Sequence, residues 1–187
     1  LSNEAGLHNG SIWENCMWLK GVVMRAHFNG HIPRNPFAMY HVDPDHKERE
    51  FLTLDELTAM TEIKLEDPNM AFARDLFIFG CWTGISFIDI KNLTEDNISM
   101  VNGAPWIVSK RQKTGVPFQI KLMDIPMLII GRYKAFRKGS HLFNIGNLDS
   151  INKRIKKVAA MCGIKKRVSF HVSRHSWAVL ALEYGMP

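Results

Sequence analysis

Apolar residues along this chain recur at helical spacing in most segments and switch to alternation in one short central stretch. The first helical pattern covers residues 11–29. Ser11-Ile12-Trp13-Glu14 has the form of a capping box, Val22, Val23 and Ala26 continue the apolar spacing, and Gly30 supplies the stop. Pro33, Asn35-Pro36 and the polar run from His41 to Glu50, with Asp43-Pro44-Asp45 inside it, predict a linker. A second unit starts near Phe51. There Thr53-Leu54-Asp55-Glu56 caps a helix reaching about Leu65, and Asp67-Pro68 opens a strongly apolar helix through Cys81 that Gly84 closes. Ser86 then caps a short helix ending near Leu93.

Beyond that point the period becomes that of strands, over residues 98–101, 106–109 and 116–121. Asn102-Gly103 and Lys113-Thr114-Gly115 are the turns between them, so a small antiparallel meander is expected. Helical spacing returns over residues 125–136 and 148–162, the latter with Ile151, Ile155, Val158 and Ala159 facing inward and Gly163 as its stop. A last apolar helix begins at Phe170-His171-Val172-Ser173-Arg174-His175-Ser176-Trp177-Ala178. The predicted fold is α+β, mainly helical, with one three-stranded antiparallel sheet inserted between helices.

Composition narrows the function classes. A chain of 187 residues that is 46% hydrophobic can bury the core of one domain and carry a piece of another. A net charge of +6 favours an anionic partner, with nucleic acid foremost. The positive residues gather from Lys110 to Lys113, Lys134 to Lys138, Lys153 to Lys157 and Lys165 to Arg167. The Lys153 to Lys157 run lies across an amphipathic helix and is read as its solvent face. No apolar run approaches the ~20 residues that cross a bilayer, and no signal pattern opens the chain, so a soluble, cytoplasmic protein without a membrane partner is expected. Cys16, Cys81 and Cys162 are odd in number and far apart, which suits buried reduced thiols better than disulfides.

Two stretches can carry chemistry. The turn bearing Lys110, Arg111 and Lys113 can set a cation against a phosphate or give a proton to a leaving oxygen, although ordinary solvated turns look the same. His171 and Arg174 share a helix face, and they join a group that transfers protons near neutral pH to one that grips two phosphate oxygens. Spacing alone decides nothing, because His-x-x-Arg recurs at His31 to Arg34 and at His46 to Arg49. A capping His171 with a surface-paired Arg174 is the plainer alternative. His171 and His175 as metal ligands lack both an H-E-x-x-H pattern and paired cysteines, so no metal is expected.

The order of these parts resembles the catalytic domain of tyrosine recombinases, the phage-type integrases, and particularly those carried by mobile elements of Bacteroidetes-like bacteria. Phe51-Leu52-Thr53 opens the match. Cys81-Trp82-Thr83-Gly84-Ile85, Asp89-Ile90 with Leu93, Lys110-Arg111-Gln112-Lys113-Thr114-Gly115 and His171 to Ala178 follow in sequence. The resemblance implies that residues 1–49 hold the last helix of a core-binding domain plus a linker, and residues 50–187 a catalytic domain incomplete at its C-terminus.

It further implies site-specific recombination on double-stranded DNA, integrating or excising a mobile element through a 3′-phosphotyrosyl intermediate, without cofactor or metal, in a tetramer on DNA. Lys113 matches the general-acid lysine, and His171 and Arg174 match the family's histidine and second arginine. Lys110, Arg111, Lys165, Lys166 and Arg167 are expected against the DNA backbone. The family's first catalytic arginine falls at Ser86, which carries no charge. Arg74, a charge among Met70, Phe72, Leu76 and Phe77, is the candidate substitute, with pairing to Asp75 as the alternative. Tyr40, Tyr133 and Tyr184 match no nucleophile motif, so the nucleophile is expected to be missing and the chain by itself inactive. The alternative is a catalytically inactive, integrase-like DNA-binding or regulatory protein.

Overall fold

The computed structural model describes residues 9–40 and 49–185, which divide into two compact units, Leu1–Glu48 and Arg49–Pro187. In the first unit, helix α1 spans Asn9–Phe28. It starts ahead of the expected capping box, so Ser11 lies in its first turn and is not the N-cap. Trp18 and Phe28 stand exposed on it. The expected linker from His41 lies outside the described residues as far as Glu48.

The second unit is built around one helix. Its sequence reads apolar on every side, as a helix enclosed by others must. After α2 (Leu54–Glu62), this central helix α3 spans Pro68–Thr83 and buries Ala73, Leu76, Phe77, Ile78 and Phe79 almost completely. Asp67 caps its start by accepting from Asn69 N, and Gly84 ends it in the left-handed conformation, φ 65°. The short α4 (Phe87–Asn92) follows, capped by Ser86.

Strands β1 (Ile98–Val101), β2 (Ala104–Lys110) and β3 (Pro117–Lys121) form the antiparallel sheet in the order β1-β2-β3. Asn102 and Gly103 both take positive φ, 49° and 76°, as the two-residue turn between β1 and β2 requires. The chain returns to helix in α5 (Asp124–Arg132), α6 (Leu148–Met161) and α7 (Phe170–Glu183). Helices α5, α6 and α7 all pack on α3, and α6 turns Ile151, Ile155, Val158 and Ala159 inward as its pattern predicts.

Three expectations are corrected. Helix α2 stops at Glu62 and not near Leu65, because Ile63 turns to ψ 129° and its carbonyl accepts from Arg74 Nη1 at 2.7 Å. The helix expected over residues 125–136 breaks at Tyr133 into α5 and a 3-10 turn, Lys134–Phe136. All three cysteines are free, as expected, but only Cys81 is fully buried.

Candidate active site

The central helix sets the site because it meets α7 at close range. A Cβ on Gly80 would lie 2.6 Å from Ser173 Oγ, and one on Gly84 would lie 2.6 Å from Trp177 Cδ2. The Thr83-Gly84 turn is therefore seated on α7, next to the turn that carries His171 and Arg174. Asn152 on α6 fixes the start of α7 by accepting from Phe170 N at 2.8 Å. The Phe170 ring packs edge-on against Phe87 of α4, with centroids 5.1 Å apart.

Hydrogen bonds then carry the order to the β2–β3 hairpin. Ser86 Oγ donates to Asp89 Oδ2 at 2.6 Å, and Asp89 Oδ1 accepts from Gln112 N at 2.9 Å. Asn92 Nδ2 also donates to Gln112 Oε1. Asp89 is 8% exposed, with one oxygen held by the cap of α4 and the other tying α4 to the hairpin tip. Gln112 stands between Arg111 and Lys113, and the anchor holds those two cations over the start of α7.

The result is a cavity of about 760 Å³ lined by Arg49, Ser86, Asp89, Arg111, Lys113, His171, Arg174 and His175 among others. Burial, with the Arg111 charge adding to it, lowers the Arg174 pKa, and Asp89 opposes them. Burial likewise lowers the pKa of His175, aided by His171, Arg49 and Arg174. The His171 and His175 rings meet edge-to-face at 4.6 Å. The cavity lining thus carries an excess of positive charge over the single Asp89 carboxylate. Among the described residues no cluster of three metal-ligating side chains occurs.

The structure brings Lys113, His171, Arg174 and Arg111 together, with Ser86 beside them. Arg74 does not line this cavity. Its Nε donates to Asp75 Oδ1 at 2.8 Å and its Nη1 to Ile63 O, so the guanidinium braces α3 against the end of α2. Arg111, read from sequence as a backbone contact, lines the same cavity as Ser86. Lys166 is also committed elsewhere, donating to Phe51 O at 2.9 Å and to Glu56 Oε2 at 2.6 Å, which closes the start of the unit onto the loop before α7. Lys110, Lys165 and Arg167 are exposed and lie outside the cavity lining.

Sequence reasoning passed over Asp89 as an anchor, and Arg49 and His175 as lining residues. Asp89 had a signal, a carboxylate three residues after a capping serine. Arg49 had none.

No sequence tyrosine within this unit reaches the cavity lining. Tyr133 OH donates to Asp75 Oδ2 at 2.8 Å, and burial with Asp75 beside it pushes the phenol pKa well up, the reverse of an activated nucleophile. Tyr184 is exposed at the end of α7 and lines a separate apolar hollow of about 390 Å³ with Trp82 and Leu180. Tyr40 belongs to the first unit.

The helices and single three-stranded sheet have the fold of tyrosine recombinase catalytic domains. No family model and no curated protein sequence matches the chain. The likeness is to solved structures. The Tn1549 transposon integrase in complex with circular intermediate DNA aligns over 100% of this chain and 70% of its own, with TM-score 0.78 and 17% identity. The XerH site-specific recombinase bound to its difH substrate aligns over 79% of this chain and 47% of its own, with TM-score 0.62 and 16% identity. A λ integrase dimer bound to a COC′ core site aligns over 89% of this chain and 64% of its own, with TM-score 0.68 and 19% identity.

Proposed function

We propose that this protein belongs to the DNA-recombining machinery of a mobile element and holds the scissile phosphate of double-stranded DNA for transesterification through a 3′-phosphotyrosyl intermediate. The observation that carries this reading is the convergence of Lys113, His171 and Arg174 in one cation-lined cavity beside the Thr83-Gly84 turn, in a fold shared with integrases bound to DNA. Arg174 and Arg111 grip the non-bridging oxygens, Arg111 supplying the guanidinium that Ser86 lacks. Lys113 gives its proton to the leaving 5′ oxygen, and His171 shares the proton traffic at the phosphate. The attack comes from a tyrosine other than Tyr133 and Tyr184, since neither lines the cavity. Helix α1 serves as the last helix of a core-binding domain, and the assembly on DNA is a tetramer.

A second reading has its own support. Ser86 at the turn and the lack of a lining tyrosine suit an integrase-like protein that occupies or regulates DNA without cutting it.

Nicked suicide duplexes carrying element ends separate the two. This chain alone is expected to form no covalent adduct, because neither Tyr133 nor Tyr184 lines the cavity, whereas any form of the gene product that supplies a tyrosine to the cavity accumulates a 3′ adduct that Arg111→Ala, Lys113→Ala or Arg174→Ala abolishes. No adduct from any form of the gene product favours the regulatory reading, and an adduct mapped to Tyr184 overturns the assignment of the nucleophile.

A further inference from the structure

The cavity carries more positive charge than one phosphodiester can balance. Arg49, Arg111, Lys113 and Arg174 are four fixed cations against the single carboxylate of Asp89, a net of +3 with the histidines neutral. A bound phosphodiester brings one negative charge. Phosphates of one strand recur every ~3.4 Å of helix axis, so a neighbour of the held phosphate lies close to the same cavity.

The cations are also spread across the site. Arg111 is carried by the hairpin and Arg49 by the segment that opens the unit, and both line the cavity.

That segment is held in place. Glu50 Oε2 accepts from Arg167 N at 2.7 Å, and Lys166 Nζ donates to Phe51 O at 2.9 Å while standing over the Phe51 ring. Leu52 N donates to Ser176 Oγ at 2.8 Å, in the buried interior and one residue from His175. Three consecutive residues after Arg49 are therefore stitched to α7 and the loop before it, which presents Arg49 on an ordered base.

We propose that Arg49 binds a second backbone phosphate, flanking the one gripped by Arg111 and Arg174, so that the cavity is a two-phosphate site. This rests on the reading of the cavity as a DNA phosphate site.

The test is the affinity of this chain for a short fluorescent duplex across a series of KCl concentrations. Each phosphate neutralised contributes about 0.9 to the slope of log K against log salt. Arg49→Ala is expected to lower that slope by about 0.9 and Arg49→Lys to restore it, with the urea midpoint unchanged in both. If Arg49 merely shares the first phosphate, Arg49→Ala weakens binding at constant slope, and the proposal is overturned. It is equally overturned if Arg49→Ala matches wild type while Arg174→Ala lowers the slope, a result that leaves the DNA site standing. A wild-type affinity independent of salt removes the DNA reading itself.

Discussion

Arg74 and Asp75 provide the sharpest separation between an arginine that braces the fold and one that lines the cavity. Asp75 accepts from Arg74 Nε at 2.8 Å, Arg132 Nη1 at 2.6 Å and Tyr133 OH at 2.8 Å, and its side chain is 3% exposed. Arg74 is 10% exposed and spends its remaining contacts on carbonyls at the end of α2. Replacing Asp75 with Ala strands the Arg74 guanidinium in the interior without a counter-charge, which costs about 3–5 kcal/mol. Replacing Arg74 with Ala is milder. Asp75 keeps two donors, and the loss is one charge-assisted hydrogen bond plus an orphaned Ile63 carbonyl, roughly 1.5–3 kcal/mol.

Neither change touches the cavity, so duplex affinity of the folded Arg74→Ala protein stays within about twofold of wild type, inside the scatter expected of sites without shared partners. Arg111→Ala behaves oppositely, with stability within about 0.5 kcal/mol of wild type and a weaker, less salt-dependent complex. Urea unfolding followed by circular dichroism and titration of a labelled duplex measure both quantities on the same proteins. An Arg74→Ala variant with a wild-type urea midpoint and about tenfold weaker DNA binding would instead place Arg74 at the DNA site.

Two further predictions concern how the site is held. Gly84→Ala combines a left-handed φ of 65° with a Cβ placed 2.6 Å from Trp177 Cδ2, so a loss of about 2–5 kcal/mol is expected. Trp177→Phe in the same protein, compared through a double-mutant cycle, should recover the steric part and leave the backbone part; additive losses would show that the ring is not the obstacle. The second concerns pH. The folded pKa of His175 is lowered from 6.5 by burial and then by its cationic neighbours, so the folded chain binds fewer protons than the unfolded one. The stability it contributes is complete above its unfolded pKa and is lost as pH falls through the folded value. Urea midpoints measured between about pH 7.5 and 5 should therefore decline less in His175→Gln than in wild type, and equal declines count against it.

Much of the fold follows from local chemistry. Asp67-Pro68 and Gly84 delimit the central helix in the sequence and do so in the structure, because an N-cap, a proline at N1 and a left-handed glycine act within one turn of themselves. Asn102-Gly103 set the first hairpin for the same reason. Lys113, His171 and Arg174 could be singled out because their order along the chain matched a known arrangement. What local chemistry cannot settle is which arginine faces an anion and which faces a carboxylate.

Arg74 lies in an apolar helix and Arg111 in a polar turn, and neither context states where the guanidinium ends. Asp75 on the same helix, with Arg132 and Tyr133 arriving from α5, draws Arg74 into a buried network. Asp89 takes the backbone of Gln112 instead of a side-chain cation and so leaves Arg111 and Lys113 facing the cavity. The segment carrying Arg49 is held by partners more than 100 residues further along, among them Ser176, which accepts from Leu52 N. The kinds and order of the helices and strands and the chemistry-bearing residue types were legible in the sequence, since each depends on neighbours a few positions away, whereas the end of α2 and the break at Tyr133 were not. Only the folded chain separates the cations that hold the fold from those that line the cavity, because that division depends on which carboxylates folding brings within reach of each guanidinium.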